Sequence, residues 1–178
     1  MTFTAPGISD NDAATLIRTL QERLSALNDL HLTLKHIHWN VVGPNFIGVH
    51  EMIDPQVALV RGYADVVAER IATLGGSPKG TARAIESERS WDDYSIGRDT
   101  VQAHLAAVDL VYDGFVASHR EAIAATGSID PVTEDILIGQ TAELEKFQWF
   151  VRAHLESAAG GLPHGETHTE VSAAAAAR

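Results

Sequence analysis

The sequence contains no cysteine in its 178 residues, which excludes disulfides, thiolate metal sites and thiol catalysis. Any metal chemistry would have to use His, Asp and Glu, which suit iron, manganese or zinc. The sequence also lacks an apolar run of the roughly 18 residues that a membrane span requires. The first residues show neither the basic flank nor the apolar segment of a secretion signal. We therefore expect a cytoplasmic protein with no membrane partner.

Positive charge is scarce as well. Thirteen Lys and Arg oppose 24 Asp and Glu, so the formal net charge is -11. Such a chain repels nucleic acid and anionic membranes and attracts cations. With 45% hydrophobic residues, the chain can bury one substantial core but is short for two, which predicts a single domain.

Helical periodicity dominates the first half of the chain. The first predicted helix covers residues 12–39, and the second covers residues 46–74 with Asn45 as its N-cap. Apolar positions of the first helix recur at intervals of three and four residues: Leu16, Leu20, Leu24, Leu27, Leu30 and Leu34.

The second half predicts two more helices. Residues 75–97 contain several glycines and prolines and predict a long connection with room for a short helix. A third helix is predicted over residues 98–125. A fourth helix is predicted to begin at Pro131, with Asp130 as its N-cap, and to run to about residue 158.

These elements predict an all-α four-helix bundle with a long connection between its second and third helices. Residues 1–11 form an N-terminal tail, residues 12–158 the domain, and residues 159–178 a C-terminal tail predicted to be disordered. The pattern leaves open the role of His164 and His168 in that tail. Periodicity alone fits a bundle without a cofactor equally well, so the candidate ligands must decide.

Five potential metal ligands lie on or near the second helix. His50 and Asp54 are four residues apart, as are Asp65 and Glu69, and His38 stands at the end of the first helix. Eleven residues separate the two pairs, so both lie on one stripe but roughly 16 Å apart along the axis. Two coupled metal ions lie only about 3.5 to 4 Å apart. A two-fold pair of chains would bring the acidic pair of one chain to the histidines of the other.

Each candidate also has a structural alternative. The acidic pair could form a solvated face beside Arg61 and Arg70. His50 and Asp54 could form an exposed helical hydrogen bond, and His38 could be a histidine of the core. The joint pattern, rather than any single residue, favours a metal site.

Residues 35–75, KHIHWNVVGPNFIGVHEMIDPQVALVRGYADVVAERIATLG, closely resemble the Dps family, the miniferritins. His-Trp-Asn, His followed four residues later by Asp, and Asp followed four residues later by Glu match the family's pattern. The resemblance implies a ferritin-like fold and a hollow homododecamer. It identifies as ferroxidase ligands His38, His50, Asp54, Asp65 and Glu69.

The same resemblance implies an activity. Two Fe(II) ions would bind per centre, at the interface of two subunits, and hydrogen peroxide would be preferred over oxygen as the oxidant. Trp39 is placed either to donate an electron when one iron is bound or to pack as an aromatic side chain. Lys35, one turn before Trp39, is a candidate hydrogen-bond donor to a metal ligand, which would orient the site. Alignment with the family also predicts an acidic iron-entry pore lined by Asp130, Glu134 and Asp135, although all three would also suit the start of a helix.

The family's DNA binding is not predicted for this chain. Residues 1–14 contain no Lys or Arg, and residues 157–178 contain only Arg178 against Glu166 and Glu170. An acidic shell without a basic arm should bind DNA weakly or not at all. A nucleoid-associated DNA-binding protein, with iron storage as a secondary role, is the alternative.

Overall fold

The computed structural model describes residues 5–178, and four long helices and two short ones account for most of them. In chain order the helices are α1 (Asp10–Asn40), α2 (Phe46–Thr73), α3 (Ala82–Glu88), α4 (Val101–Thr126), α5 (Pro131–Ala153) and α6 (Glu170–Ala176). The four long helices confirm the predicted all-α bundle. Within the described residues, no helix has the length and apolar character needed to cross a membrane.

The leucine stripe of α1 is the inner face of this bundle. Its six leucines are at most 3% exposed, and they pack against apolar side chains of α2, α4 and α5. The helix begins where the Ser9 hydroxyl accepts a hydrogen bond from the Asp12 amide at 3.2 Å. Since burial of apolar area is the main favourable term in folding, the 3.6-residue period predicted this helix well.

The start of α2 differs in detail from the prediction. Asn45 is the N-cap residue, as predicted, but its φ is 63° and its side chain makes no capping hydrogen bond. Asparagine tolerates this left-handed conformation better than most residues. Asn45 therefore turns the chain from α1 into α2 through its backbone.

The long connection between α2 and α4 contains α3, in agreement with the predicted short helix. A strand pair that the sequence did not predict joins the last residues of this connection to the segment between α1 and α2. β1 (Val41–Val42) pairs in parallel with β2 (Asp99–Thr100). Two residues are too few to show the alternation by which strands are predicted. The pair ties the end of α1, where His38 and Trp39 lie, to the start of α4.

The prediction of a disordered C-terminal tail is wrong for the described structure. His164 is 2% exposed, and its Nε2 lies 2.9 Å from an Asp109 oxygen on α4. The α6 helix buries Ala173 and Ala174 completely. The composition of residues 159–178 suggested disorder, but His164 bonds Asp109 of α4 and the two alanines of α6 are buried.

The carboxylate of Asp109 is the anchor of the tail. Besides His164, it accepts hydrogen bonds from Arg152 Nε at 2.7 Å and Gln148 Nε2 at 2.9 Å. No sequence signal indicated this cluster, because its members are 39 to 55 positions away from Asp109.

α5 also ends at Ala153, before the predicted residue 158.

Candidate metal centre

Two histidines face each other where α1 ends and α2 begins. Nδ1 of His38 donates to the carbonyl of His50, and Nδ1 of His50 donates to the carbonyl of His38, each at 2.9 Å. The rings stack with centroids 3.6 Å apart. In a neutral imidazole with its proton on Nδ1, the lone pair lies on Nε2, which is the atom that can bind a metal. The reciprocal bonds fix both rings in the tautomer that a metal site requires.

Asp54 lies beside this pair on α2. Its Oδ1 accepts a hydrogen bond from Lys35 Nζ at 2.6 Å and lies 3.4 Å from Nδ1 of His38. The hydrogen bond from Lys35 lowers the pKa of Asp54 below its ordinary value, and the nearby His38 and His50 contribute. Asp54 is therefore a carboxylate at neutral pH, held next to the histidines by the predicted orienting residue Lys35.

Two aromatic residues border the histidines and Asp54. Trp39 is 70% exposed in the single chain, and Lys35 Nζ lies 6.0 Å from the centroid of its ring. The sequence analysis missed Phe46, whose ring lies 5.0 Å from that of His50. The spacing of four residues on α2 could have indicated this contact. Together they place apolar surface next to the candidate ligands.

Asp65 and Glu69 lie further along α2, and both are exposed. Eleven residues after Asp54, Asp65 is roughly 16 Å away along the helix axis. The proposed alternative partner Arg70 instead forms an ion pair with Asp130. Within residues 5–178, neither acidic side chain is in a salt bridge or a side-chain hydrogen bond.

The structure therefore brings together His38, His50 and Asp54, with Lys35 beside them, and leaves the acidic pair apart. Across the described part of one chain, no group of three or more His, Asp or Glu side chains is arranged to hold a metal ion. The centre shared between two subunits stays a prediction.

The three predicted pore residues have different environments. Asp130 is 3% exposed, caps α5 through the amides of Val132 and Thr133, and forms an ion pair with Arg70. Burial opposes its ionisation, but hydrogen bonds from Thr133 and Arg70 outweigh this effect and lower the pKa of Asp130. Asp130 is therefore a helix cap and the ion-pair partner of Arg70 in this chain, and its place in a pore stays a prediction.

Glu134 and Asp135 remain available at the surface. Asp135 is exposed, and Glu134 is half-buried against Gly127, where an added Cβ would lie 2.5 Å from its carboxylate oxygen. Gly127 thus leaves space for the Glu134 side chain at the turn between α4 and α5. A pore lined by these two residues stays a prediction.

Comparison with known proteins agrees with this fold. The family model described as "Ferritin-like domain" matches residues 17–159. The DNA protection during starvation protein of Mycolicibacterium smegmatis is 66% identical over 176 residues, which cover 99% of this chain and 96% of that protein.

Solved structures show the same similarity. The Mycobacterium smegmatis Dps structure superposes with a TM-score of 0.94 at 66% identity and covers 95% of this chain and 97% of its own. The Dps of Microbacterium arborescens, described as the high iron form, has a TM-score of 0.79 at 29% identity, covering 86% and 98%. These matches span the bundle and both halves of the candidate centre, and the chain therefore belongs to the Dps family of ferritin-like proteins.

Proposed function

We propose that this protein is an iron-storing ferroxidase, in which a dodecameric cage oxidises Fe(II) and retains the ferric product. One observation carries the proposal: His38 and His50 are locked with both Nε2 atoms free, beside the ionised Asp54. Imidazole and carboxylate suit iron. The reciprocal bonds use Nδ1 of each ring and leave Nε2 without a protein partner, which supports a ligand role.

The second half of the centre comes from a second copy of the chain. Asp65 and Glu69 are exposed, and no basic side chain of the described chain neutralises them. In an isologous pair, two antiparallel α2 helices place the acidic pair of each copy opposite the histidines of the other. Each two-fold interface then contains two equivalent centres with His38, His50, Asp54, Asp65 and Glu69.

The chemistry at such a centre balances for hydrogen peroxide. Two Fe(II) ions lose one electron each, the O–O bond of one peroxide breaks, and both electrons reduce it to the level of two hydroxides. No hydroxyl radical is released, because both electrons arrive together. Lys35 holds Asp54 in position, and the exposed Trp39 is placed to supply an electron when only one iron is bound.

The relatives support the same function. The printed name of the Mycolicibacterium protein refers to DNA protection, and the Microbacterium structure to a high iron form. We assign protection of DNA to removal of iron and peroxide in the cytoplasm. The alternative, a nucleoid-associated protein that binds DNA directly, requires positive charge on the tails. Arg178, the only Lys or Arg after position 156, pairs with Asp99 instead.

The direct test is an iron oxidation assay on the assembled cage. Anaerobic protein loaded with Fe(II) should consume one hydrogen peroxide for every two Fe(II), and the iron should elute with the cage in gel filtration. Spin trapping should detect less hydroxyl radical than with Fe(II) and peroxide alone. Oxidation no faster than in buffer, with assembly confirmed, would contradict the proposal.

Iron entry gives a further prediction. Glu134→Gln with Asp135→Asn should slow iron uptake at low salt by about tenfold, because a ring of carboxylates concentrates cations at an entrance. High salt should reduce this difference, since it screens the attraction to Fe(II). Stopped-flow absorbance of the ferric product measures both effects.

Asp130→Asn provides the contrasting variant. It leaves the half-buried Arg70 without its carboxylate partner, so we expect a loss of stability in thermal unfolding rather than a salt-dependent uptake defect. Uptake by the Glu134/Asp135 variant at the wild-type rate in low salt would place iron entry elsewhere.

A further inference from the structure

A cavity of about 250 Å³ lies away from the candidate metal centre, between α1, residues 90–94, α4 and the first residue of α6. Most of its wall is apolar or aromatic, with contributions from Leu30, Trp91, Tyr94, Val111 and Phe115. Sites for drug-sized ligands measure roughly 300 to 1,000 Å³. This cavity therefore fits a smaller molecule, with one ring or a short alkyl chain.

A buried cation lines the same cavity. Arg23 of α1 is only 7% exposed, and its guanidinium donates one hydrogen bond, to the Ser118 hydroxyl at 2.5 Å. Within the described chain, no carboxylate lies within ion-pair distance of Arg23. The half-buried arginines of α2, the long connection and α5 each have a carboxylate partner: Arg70, Arg89 and Arg152. Burial lowers the pKa of Arg23, and Glu22 and Glu121 oppose this shift from a greater distance.

Beyond its bond to Ser118, the guanidinium of Arg23 donates to no side chain of the described residues, so its other N–H groups are available to a ligand in the cavity. An arginine has five such donors in a planar fork that matches a carboxylate. A ligand carboxylate would therefore supply what the protein does not.

The other charges of the cavity limit the ligand to a single negative charge. Asp29 already accepts from Arg89 and from the indole N–H of Trp91 at 2.7 Å. Two further carboxylate side chains line the cavity, the exposed Asp92 and the half-buried Glu170. These carboxylates would repel a phosphate dianion more strongly than a monocarboxylate.

We propose that this cavity is a binding site for a small organic monocarboxylate with an apolar body, whose carboxylate pairs with Arg23 while its apolar part contacts Phe115 and Trp91. Binding is reversible and involves no covalent step. The site is separate from the ferroxidase residues, and nothing in the iron chemistry requires it.

Phenylacetate is a suitable probe, and phenylacetamide is its neutral counterpart. Titration calorimetry and saturation-transfer NMR on the assembled cage should show phenylacetate binding at least tenfold more tightly than phenylacetamide. Arg23→Gln should weaken phenylacetate binding at least tenfold, whereas Arg18→Gln, which removes an exposed arginine of the same helix, should not change it.

A second variant tests the cavity with Arg23 intact. Gly114 lines the cavity, and a Cβ added there meets nothing within 4 Å, so Gly114→Leu should fold and fill the space. Its cage should no longer bind phenylacetate. The proposal is overturned if phenylacetate does not bind the wild-type cage, if the amide binds equally well, or if Arg23→Gln or Gly114→Leu leaves binding unchanged. None of these outcomes would affect the ferroxidase proposal, because the cavity shares no residue with the candidate metal centre.

Discussion

Replacing Asp65 and Glu69 with alanine should lower the rate of iron oxidation by about 100-fold or more, although His38, His50 and Asp54 remain intact in every chain. The reason is that each centre takes its acidic pair from the second subunit. Iron oxidation followed by stopped-flow absorbance measures the loss. Glu156→Ala with Glu166→Ala, which removes two exposed carboxylates outside the site, is the charge-matched control and should oxidise iron normally.

Mixed cages distinguish a shared centre from two separate ones. A chain with Asp65→Ala and Glu69→Ala is refolded in equal amounts with a chain carrying His50→Ala and Asp54→Ala. Half of the two-fold pairs will then be mixed, and one of the two centres in each mixed pair will contain all five ligands. About a quarter of the wild-type sites should return.

Each variant must first be shown to assemble, by gel filtration or light scattering. Once assembly is established, recovery of activity on mixing can arise only from ligands of two different chains. A mixed cage as inactive as its two parents would mean that the acidic pair acts within its own chain or not at all.

The sequence predicted the helices whose stability depends on a repeated local pattern. The leucine pattern of α1 spans only three or four residues at each step, and the cap of α5 needs only Asp130 and the Pro131 that follows it. The structure contains both features. The boundaries of α1 and α2 agree with the prediction to within two residues. Such elements require no knowledge of what they pack against.

Features that depend on distant partners were not predictable in this way. His164 is buried only because Asp109, 55 residues earlier, presents a carboxylate to it. The short α6 buries two alanines, which carry almost no periodic signal. The ion pair of Asp130 with Arg70, 60 residues away on α2, likewise had no local signal in the sequence.

The candidate metal centre combines features that a local sequence pattern predicts with features that depend on distant residues. Spacing alone placed His50 and Asp54 on one face of a helix, and the structure has them there. Spacing could not indicate that each histidine bonds the backbone of the other, since this requires the ends of α1 and α2 to meet. The final arrangement around two iron ions depends on a second chain, so it goes beyond what one chain can show.

The native cage should not shift duplex DNA at about 0.15 M salt, whereas a cage with a lysine-rich extension after Arg178 should bind it. The chain has a formal charge of -11, and the structure pairs Arg178 with Asp99, so the tail has no free cation to offer phosphate. Electrophoretic mobility shift in chelator-treated buffer measures the difference. A glutamine-rich extension of equal length is the matched control and should not confer binding.

The salt dependence tests the physical cause. With about five lysines in the extension, the logarithm of the binding constant should fall with the logarithm of salt concentration with a slope of roughly -4 or steeper, since each phosphate contact releases counterions and several tails can bind together. Added magnesium tests whether cations bridge the native cage to DNA. A tight shift by the native protein without divalent cations would show that its surface binds DNA despite the net charge, and direct nucleoid binding would then replace iron removal as the simplest account of DNA protection.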